Sequence, residues 1–275
     1  MSVTRPLFLI DLKEILRTKA PKLHKKIPGF VVTLLEKIIC QKRMNDFLQE
    51  NNGAEGVDFM NNLINYLHIT YQIEGEENIP KTGKFIFASN HPLGGLDGVC
   101  LSAILGTKYE EKIKYLVNDI LYFLEPVQNI FVPINKHGAQ AKGGAQAINT
   151  AFDSENQIIT FPAGLCSRKQ KRKIEDLEWK KMFIIKAIEY QRDIIPVYFK
   201  AKNSAFFYRL ANIRKFLGIK FNIEMLFLPR EMFKSEGKTF TIHFGRPIPW
   251  QTFDSSKSPL TWAQEVKKTV YLLEK

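Results

Sequence analysis

A histidine and an aspartate lie six positions apart in a glycine-rich stretch, SNHPLGGLDG, at residues 89–98. A histidine in such a loop is accessible enough to titrate, and a nearby carboxylate can fix its tautomer and stabilise the imidazolium. His91 and Asp97 are therefore candidates for a general base and its orienting partner. The alternative is structural: Asp97 caps a helix that begins near Gly98, and His91 bonds only to backbone. The pattern alone leaves both interpretations open.

Three later stretches share a layout in which a short apolar run carries or precedes polar and small residues. They are NIFVPINK at 129–136, FPAGLCSR at 161–168 and DIIPVYF at 193–199. Cys166, in the second of them, suggests an alternative mechanism in which a thiolate takes the transferred group before passing it on. We favour this mechanism less, because free cysteines are usually small core residues and nothing near Cys166 in the sequence forces ionisation.

These four stretches, in this order between about residues 75 and 250, resemble the motifs of the glycerolipid and lysophospholipid acyltransferase family. The pair Asn90-His91 followed by Asp97 is similar to the first motif, which implies that His91 is the catalytic base and Asp97 its partner. Five residues separate His91 from Asp97 here, whereas four are usual in the family. We expect Gly94 and Gly95 to absorb the extra residue, because glycine reaches positive φ at little cost.

The other motifs imply where an acceptor lipid binds. Lys136 stands in the second motif where the family usually has an arginine that contacts the head group. The third motif resembles Phe-Pro-Glu-Gly-Thr-Arg-Ser, but Ala163, Leu165 and Cys166 replace its Glu, Thr and Arg, and we expect Arg168 to supply the missing charge. The fourth motif is an apolar strand that carries Pro196. The substrate-binding residues implied in this way are Asn90, Gly94, Gly95, Lys136, Phe161, Pro162, Gly164, Ser167 and Arg168.

The resemblance implies transfer of a fatty acyl group from acyl-CoA or acyl carrier protein to the hydroxyl of a lysolipid, with no other cofactor and no metal. We expect backbone N–H groups of the Gly94-Gly95 or Gly164 loops to stabilise the oxyanion. Loss of polar groups from the third motif favours a lyso-aminolipid acceptor, which some bacterial members of the family use. The alternative is a lysophosphatidic acid acyltransferase in phospholipid synthesis, with Lys136 and Arg168 on the phosphate.

The elements that must position these residues read as an α/β fold. From Lys84 onward, apolar runs alternate with helical patterns, which predicts a mostly parallel sheet of about seven strands flanked by helices. The resemblance implies the same, a glycerol-3-phosphate acyltransferase-like fold. The predicted strands are 85–88, 113–117, 130–133, 158–161, 194–199, 225–228 and 240–244, and the predicted helices are 98–105, 143–152, 179–190, 206–217 and 259–273.

The first 72 residues read as helical, with apolar residues at helical spacing in 30–39 and 59–67. We therefore predict an N-terminal helical, membrane-contacting segment at 1–72 and an acyltransferase domain at 73–275. The first residues mix charge into the apolar stretch, and the uncharged apolar runs fall below the roughly 18 residues of a membrane-spanning helix. We expect no signal peptide, no spanning helix, and a peripheral location on the cytoplasmic side of the inner membrane.

A formal charge of +12, from 40 Lys and Arg against 28 Asp and Glu, implies an anionic partner. We expect an anionic membrane surface and no nucleic acid, because no nucleic-acid motif is present. Three segments are candidates for the contact: the N-terminal helices, the basic run at 168–173, and the aromatic and basic stretch at 206–218. The rival class is a non-catalytic basic protein that binds membrane or nucleic acid.

Overall fold

The computed structural model describes residues 7–117, 124–134, 141–171 and 173–274. The strands are β1 (Thr70–Glu74), β2 (Phe85–Ser89), β3 (Ile113–Val117), β4 (Phe131–Pro133), β5 (Gln157–Thr160), β6 (Arg168–Gln170), β7 (Lys173–Glu175), β8 (Asp193–Lys200) and β9 (Thr239–Phe244). The helices are α1 (Leu12–Lys19), α2 (Pro21–His24), α3 (Gly29–Ile38), α4 (Gln41–Glu50), α5 (Gly56–Tyr66), α6 (Leu96–Lys108), α7 (Ala141–Asp153), α8 (Met182–Glu189), α9 (Ala205–Phe216), α10 (Leu228–Phe233) and α11 (Pro259–Leu272).

A seven-stranded sheet, in the order β1-β9-β8-β2-β5-β3-β4, forms the centre of the α/β part of the chain. Every neighbouring pair is parallel except β8 and β9. The central strands β2 and β5 are buried along their whole length, because helices cover both faces of such a sheet and leave no side for water. The predicted α/β class with a mostly parallel sheet is confirmed.

The predicted strand at 225–228 is wrong. Residues Ile223–Phe227 form a 3₁₀ helix that leads directly into α10, with Pro229 in the first turn of α10. Proline is compatible with the start of a helix, and a short apolar run fits a buried helix as well as a strand. The seventh strand is instead β1, at the edge of the sheet. It was not predicted, because its residues alternate between exposed and half-buried positions and form no continuous apolar run.

The chain divides into two compact units. One unit combines the chain up to Ala54 with Ser204–Glu236, and the other combines Glu55–Asn203 with Gly237–Lys275. The predicted division at residue 72 separated membrane contact from catalysis, and that functional division stays a prediction. In the described part of the chain, no helix combines the length and apolar character needed to cross a bilayer.

Candidate active site

The carboxyl ends of three neighbouring parallel strands, β5, β2 and β8, bring the predicted motifs together. The His91 loop follows β2, the third-motif loop at 161–167 follows β5, and Asn203 follows β8. Ligands of open α/β sheets gather at this edge, since loops there can diverge while the strands fix their starting points. Two bonds tie the segments to the His91 loop: Ser167 N–H donates to the His91 carbonyl at 2.7 Å, and the Asn203 side-chain Nδ2 donates to the Pro92 carbonyl at 3.1 Å.

His91 and Asp97 are in contact despite the five-residue spacing. His91 Nδ1 lies 3.0 Å from Asp97 Oδ2. The same carboxylate accepts main-chain N–H groups from Leu93 at 2.9 Å, Gly95 at 3.1 Å and Gly98 at 2.9 Å. Asp97 is fully buried in the first turn of α6, where the helix dipole also favours a negative charge. Asp97 therefore fixes the loop and also holds the histidine ring, so the alternative in which Asp97 only caps the helix and His91 bonds only to backbone is wrong.

Two glycines make this geometry possible. Gly94 adopts φ +75°, a left-handed conformation that folds the longer loop back toward Asp97. Gly98 allows α6 to pack closely on Tyr115, because a Cβ at Gly98 would lie 2.7 Å from the Tyr115 ring carbons Cε1 and Cζ. The predicted use of a positive φ to absorb the extra residue therefore holds for Gly94 and not for Gly95, whose φ of −178° is an extended conformation that any residue adopts.

The environment of His91 suits a base. Burial alone would lower the pKa of His91, but the Asp97 charge and hydrogen bond, with a smaller effect of Asp176, raise that pKa above its ordinary value. The ring packs on Phe161 with centroids 4.2 Å apart, and its side chain keeps 13% of its exposure. With Nδ1 directed to Asp97, Nε2 is the nitrogen left to accept a proton from a substrate.

A second buried carboxylate, Asp176, was missed by sequence reasoning. Its Oδ1 accepts the His91 main-chain N–H at 3.1 Å and the Ser167 hydroxyl at 2.6 Å, while Oδ2 accepts Trp179 Nε1–H at 2.9 Å. Burial raises the pKa of Asp176, and the bonds from Ser167 and Trp179 oppose that rise. In the sequence, Asp176 is one of several charged residues that follow the basic run, and nothing distinguishes it as a site residue. Only the folded chain shows that Asp176 positions the His91 loop.

The third-motif loop surrounds the histidine on one side. Phe161 packs on the His91 ring, and the buried Pro162 accepts Lys180 N–H at 3.0 Å through its carbonyl. Arg168 is buried at the start of β6, where its Nη1 donates to the Cys166 carbonyl at 2.7 Å. Ala163, which replaces the acidic residue of the family motif, packs in the apolar core.

Lys180 places a cation beside the third-motif loop, and it was not predicted as a site residue. A Cβ built on the exposed Gly164 would lie 2.6 Å from Lys180 Nζ, so the ammonium group covers the loop at its left-handed glycine. In the basic run, Lys169 lies on β6 and Lys173 on the antiparallel β7, and Lys169, Lys171 and Lys173 are exposed. Lys136 lies outside the described residues, and its predicted contact with the acceptor stays a prediction.

Two predicted assignments need a more specific description. Asn90 bridges β2 and β8: its Nδ2 donates to the Phe199 carbonyl at 3.0 Å, and its Oδ1 accepts Phe199 N–H at 2.7 Å. The N–H groups of Gly94 and Gly95 donate to Asp97, and that of Gly164 donates to the Phe161 carbonyl at 2.9 Å. In this arrangement these three N–H groups are engaged and are not available to an oxyanion.

A surface depression of about 480 Å³ lies elsewhere, lined by residues that include Lys114, Val132, Thr150 and Asn156. Lys114 is near the amino end of β3, and Asn156 directly precedes β5. None of its lining residues was predicted as a site residue, and the depression is at the opposite ends of these strands from the His91 loop.

A buried His-Asp pair at the carboxyl edge of an α/β sheet defines a site for general-base chemistry, and comparison with known proteins gives its class. A family model described as "Acyltransferase" matches residues 14–275. The chain belongs to this acyltransferase family. It is thus an enzyme, as predicted, and the alternative of a non-catalytic binding protein is set aside.

Two curated relatives cover almost the whole chain. A "Lyso-glycine lipid O-acyltransferase" of Bacteroides thetaiotaomicron is 55% identical over 267 residues, 97% of this chain and 98% of that protein. A protein of the same name from Phocaeicola vulgatus is 52% identical over 267 residues, 97% of this chain and 96% of that protein. Among solved structures, the 1-acyl-sn-glycerophosphate (LPA) acyltransferase PlsC of Thermotoga maritima is 17% identical with a TM-score of 0.48, covering 95% of this chain and 86% of that one.

Proposed function

We propose that this acyltransferase moves a fatty acyl group from an acyl thioester to the hydroxyl of a lyso-glycine lipid, a hydroxylated fatty acyl chain amide-linked to glycine. The observation that carries the proposal is the identity of 55% across 97% of the chain to a protein of that named activity. The His91–Asp97 pair supplies the base that O-acylation needs.

In the proposed reaction, the acceptor hydroxyl donates to His91 Nε2 while His91 Nδ1–H donates to Asp97. As the hydroxyl oxygen attacks the thioester carbonyl, its proton passes to Nε2 and a C–O bond forms. Collapse of the tetrahedral intermediate breaks the C–S bond, and the thiolate takes the proton from the imidazolium. The products are an ester and a free thiol, and His91 is neutral again. Asp97 stays ionised throughout and stabilises the imidazolium.

The glycine head group carries one carboxylate, and the third-motif loop offers cations for it. Lys180 Nζ covers Gly164, and the buried Arg168 is close enough for its charge to act on His91. The family's acidic residue is replaced by Ala163, which removes a negative charge that would repel the carboxylate. We assign head-group recognition to Lys180, with Arg168 shaping the loop through its bond to the Cys166 carbonyl.

The donor is an acyl thioester of coenzyme A or acyl carrier protein. We place the reaction at the cytoplasmic face of the membrane, because both carriers are found in the cytoplasm. No further cofactor and no metal has a step in this mechanism.

The alternative acceptor, lysophosphatidic acid, has a phosphate in place of the carboxylate, and it serves as the competing substrate in the test.

The test is an assay of the purified full chain with acyl-CoA and acyl carrier protein donors, using mass spectrometry to detect the ester. The acceptors are a lyso-glycine lipid, the same lipid without its hydroxyl, and lysophosphatidic acid. We expect ester formation from the first, none from the second, and a lower kcat/KM for the third. Faster acylation of lysophosphatidic acid would overturn the proposed acceptor while leaving the family assignment intact.

His91→Ala and His243→Ala form a matched pair for the same assay. His243 Nδ1 also contacts a carboxylate, lying 3.1 Å from Glu74 Oε2 on the neighbouring strand. We expect His91→Ala to lower kcat by about 10²- to 10⁴-fold, the contribution of a positioned base. His243→Ala should keep nearly full turnover, and equal losses in both variants would argue against His91 as the base.

A further inference from the structure

Helix α9 has apolar residues on two opposite sides. One side is buried and consists of Phe207, Tyr208 and Ala211. The opposite side is exposed, and we call it the outer face of α9: Phe206, Arg209, Ile213, Phe216 and Leu217. These residues recur at helical spacing, and a surface helix normally has polar residues in such positions.

The exposure is extreme at the end of the helix. Phe216 is 90% exposed, and Phe221 in the following turn is 65% exposed. Every residue from 215 to 221 is exposed, and four of the seven are large and apolar. Scattered exposed apolar residues are ordinary, but a contiguous group of this kind marks an interaction surface.

The exposed residues stand on an ordered turn. Helix α9 ends at Phe216, and Gly218 in the turn that follows adopts φ +68°, while Ile219 N–H donates to the Arg214 carbonyl at 3.1 Å. Arg214 holds the turn from inside: its Nη1 donates to the Ile219 carbonyl at 2.7 Å, and its Nε lies 2.9 Å from the buried Glu224 Oε2. These bonds fix the backbone of the turn from which the exposed apolar side chains project.

The charge of this segment indicates an anionic partner. No Asp or Glu occurs between Asp193 and Glu224, whereas Arg209, Lys215 and Lys220 lie among the exposed apolar residues. An exposed apolar surface with basic residues fits the interface of an anionic bilayer, into which apolar side chains insert while basic groups contact phosphates. The acceptor in the function proposed above is a lipid, so such a surface would bring the enzyme to it.

We infer that the outer face of α9, continued by Ile219, Lys220 and Phe221, is a docking surface for an anionic lipid bilayer. The inference assigns membrane contact to the 206–221 segment, which contains one of the three predicted membrane-contacting segments. It concerns binding in the absence of substrate, so it stands or falls separately from the proposed acceptor.

Flotation of the full chain with vesicles tests the inference. The vesicles are phosphatidylcholine alone or an equal mixture of phosphatidylcholine and phosphatidylglycerol. We expect Phe216→Ser with Phe221→Ser to lower the partition coefficient for the mixed vesicles at least about tenfold. The double variant has two fewer aromatic side chains to transfer from water into the bilayer. The matched control, Leu260→Ser with Leu272→Ser, removes two other exposed apolar side chains, both on α11, and should bind normally.

Charge and depth give independent readouts. Arg209→Gln with Lys220→Gln should lower binding to the mixed vesicles on the order of tenfold and leave neutral vesicles unaffected. In Phe216→Trp, brominated lipids should quench the added tryptophan fluorescence, while Leu272→Trp should show no such added quenching. Unchanged partition of the Phe216/Phe221 double variant would overturn the inference. So would a loss confined to binding of acyl carrier protein, which would make the surface a protein-docking site.

Discussion

Asp176 Oδ1 accepts the main-chain N–H of His91 at 3.1 Å, although the two residues are 85 positions apart in the sequence. The histidine is thus held by two carboxylates with different tasks: Asp97 contacts its ring, and Asp176 holds its backbone. Because Asp176 also accepts the Ser167 hydroxyl, it fastens the first-motif loop to the third-motif loop. We therefore regard Asp176 as a positioning residue.

Asp176→Asn should lower kcat more than it raises KM. An amide replaces one carboxylate oxygen with a donor, which faces the N–H of either His91 or Trp179 and displaces the loop. Removing the charge of Asp176 also lowers the pKa of His91, so the acidic limb of the kcat/KM profile should move slightly to lower pH. Ser167→Ala, which removes one bond but keeps the charge, is the control and should leave that limb in place. A lower melting temperature with unchanged kinetics would show that Asp176 acts only in folding.

Asp97 sets the pH dependence of the reaction. The base must be neutral, so activity rises with pH as His91 loses its proton, at a pKa above its ordinary value in the wild type. Asp97→Asn removes the main causes of that rise and leaves burial, which lowers the pKa. The acidic limb should therefore shift to lower pH, with a plateau reduced by up to about 10⁴-fold because the imidazolium loses its partner. An acidic limb at the wild-type position would show that another group controls it.

Lys180→Gln tests carboxylate recognition. We expect KM for the lyso-glycine lipid to rise several-fold with kcat nearly unchanged, on the scale of ~1 kcal/mol for an exposed ion pair. Lys181→Gln is the matched control, since Lys181 is also exposed and lies next in sequence. KM for an acceptor whose glycine carboxylate is esterified should be the same in wild type and Lys180→Gln. Equal effects of both substitutions would indicate general charge attraction.

Gly98→Ala should destabilise the fold by about 1–3 kcal/mol, the usual cost of overpacking. The new methyl group would press on Tyr115, whose ring packs on Phe161 with centroids 5.5 Å apart. Since Phe161 in turn packs on His91, activity should fall as well. Gly29→Ala is the control, because no atom lies within 4 Å of its added Cβ. Urea unfolding measures both, and equal free energies of unfolding would contradict the packing argument.

The sequence was sufficient for the parts of the site that lie within one loop. His91 and Asp97 share a stretch of ten residues, and the strands that lead into the motif loops are continuous apolar runs. These features are local, so residue types and spacing reveal them. Asp176 and Lys180 act through chain reversals that bring them back to the His91 and Gly164 loops, and no local pattern encodes such contacts.

The incorrect elements have physical reasons of the same kind. The run at 225–228 is apolar on all sides, which fits a strand and a buried helix equally well, and Pro229 decides for the helix. Periodicity at 206–217 also fits both core packing and an interfacial helix. Only the structure shows that Phe207 is buried and Phe216 is exposed, which separates the two apolar faces of α9.

The smaller compact unit is built from two stretches of chain that synthesis separates by some 150 residues, up to Ala54 and Ser204–Glu236. Arg43 joins them, with its Nη2 2.6 Å from Glu236 Oε2 and its guanidinium over the Phe233 ring. Helices α1 to α4 are therefore synthesised well before the partners that Ser204–Glu236 supplies. A nascent chain halted before Ser204 would hold these helices without a finished core, a state that ribosome-bound chaperones would recognise.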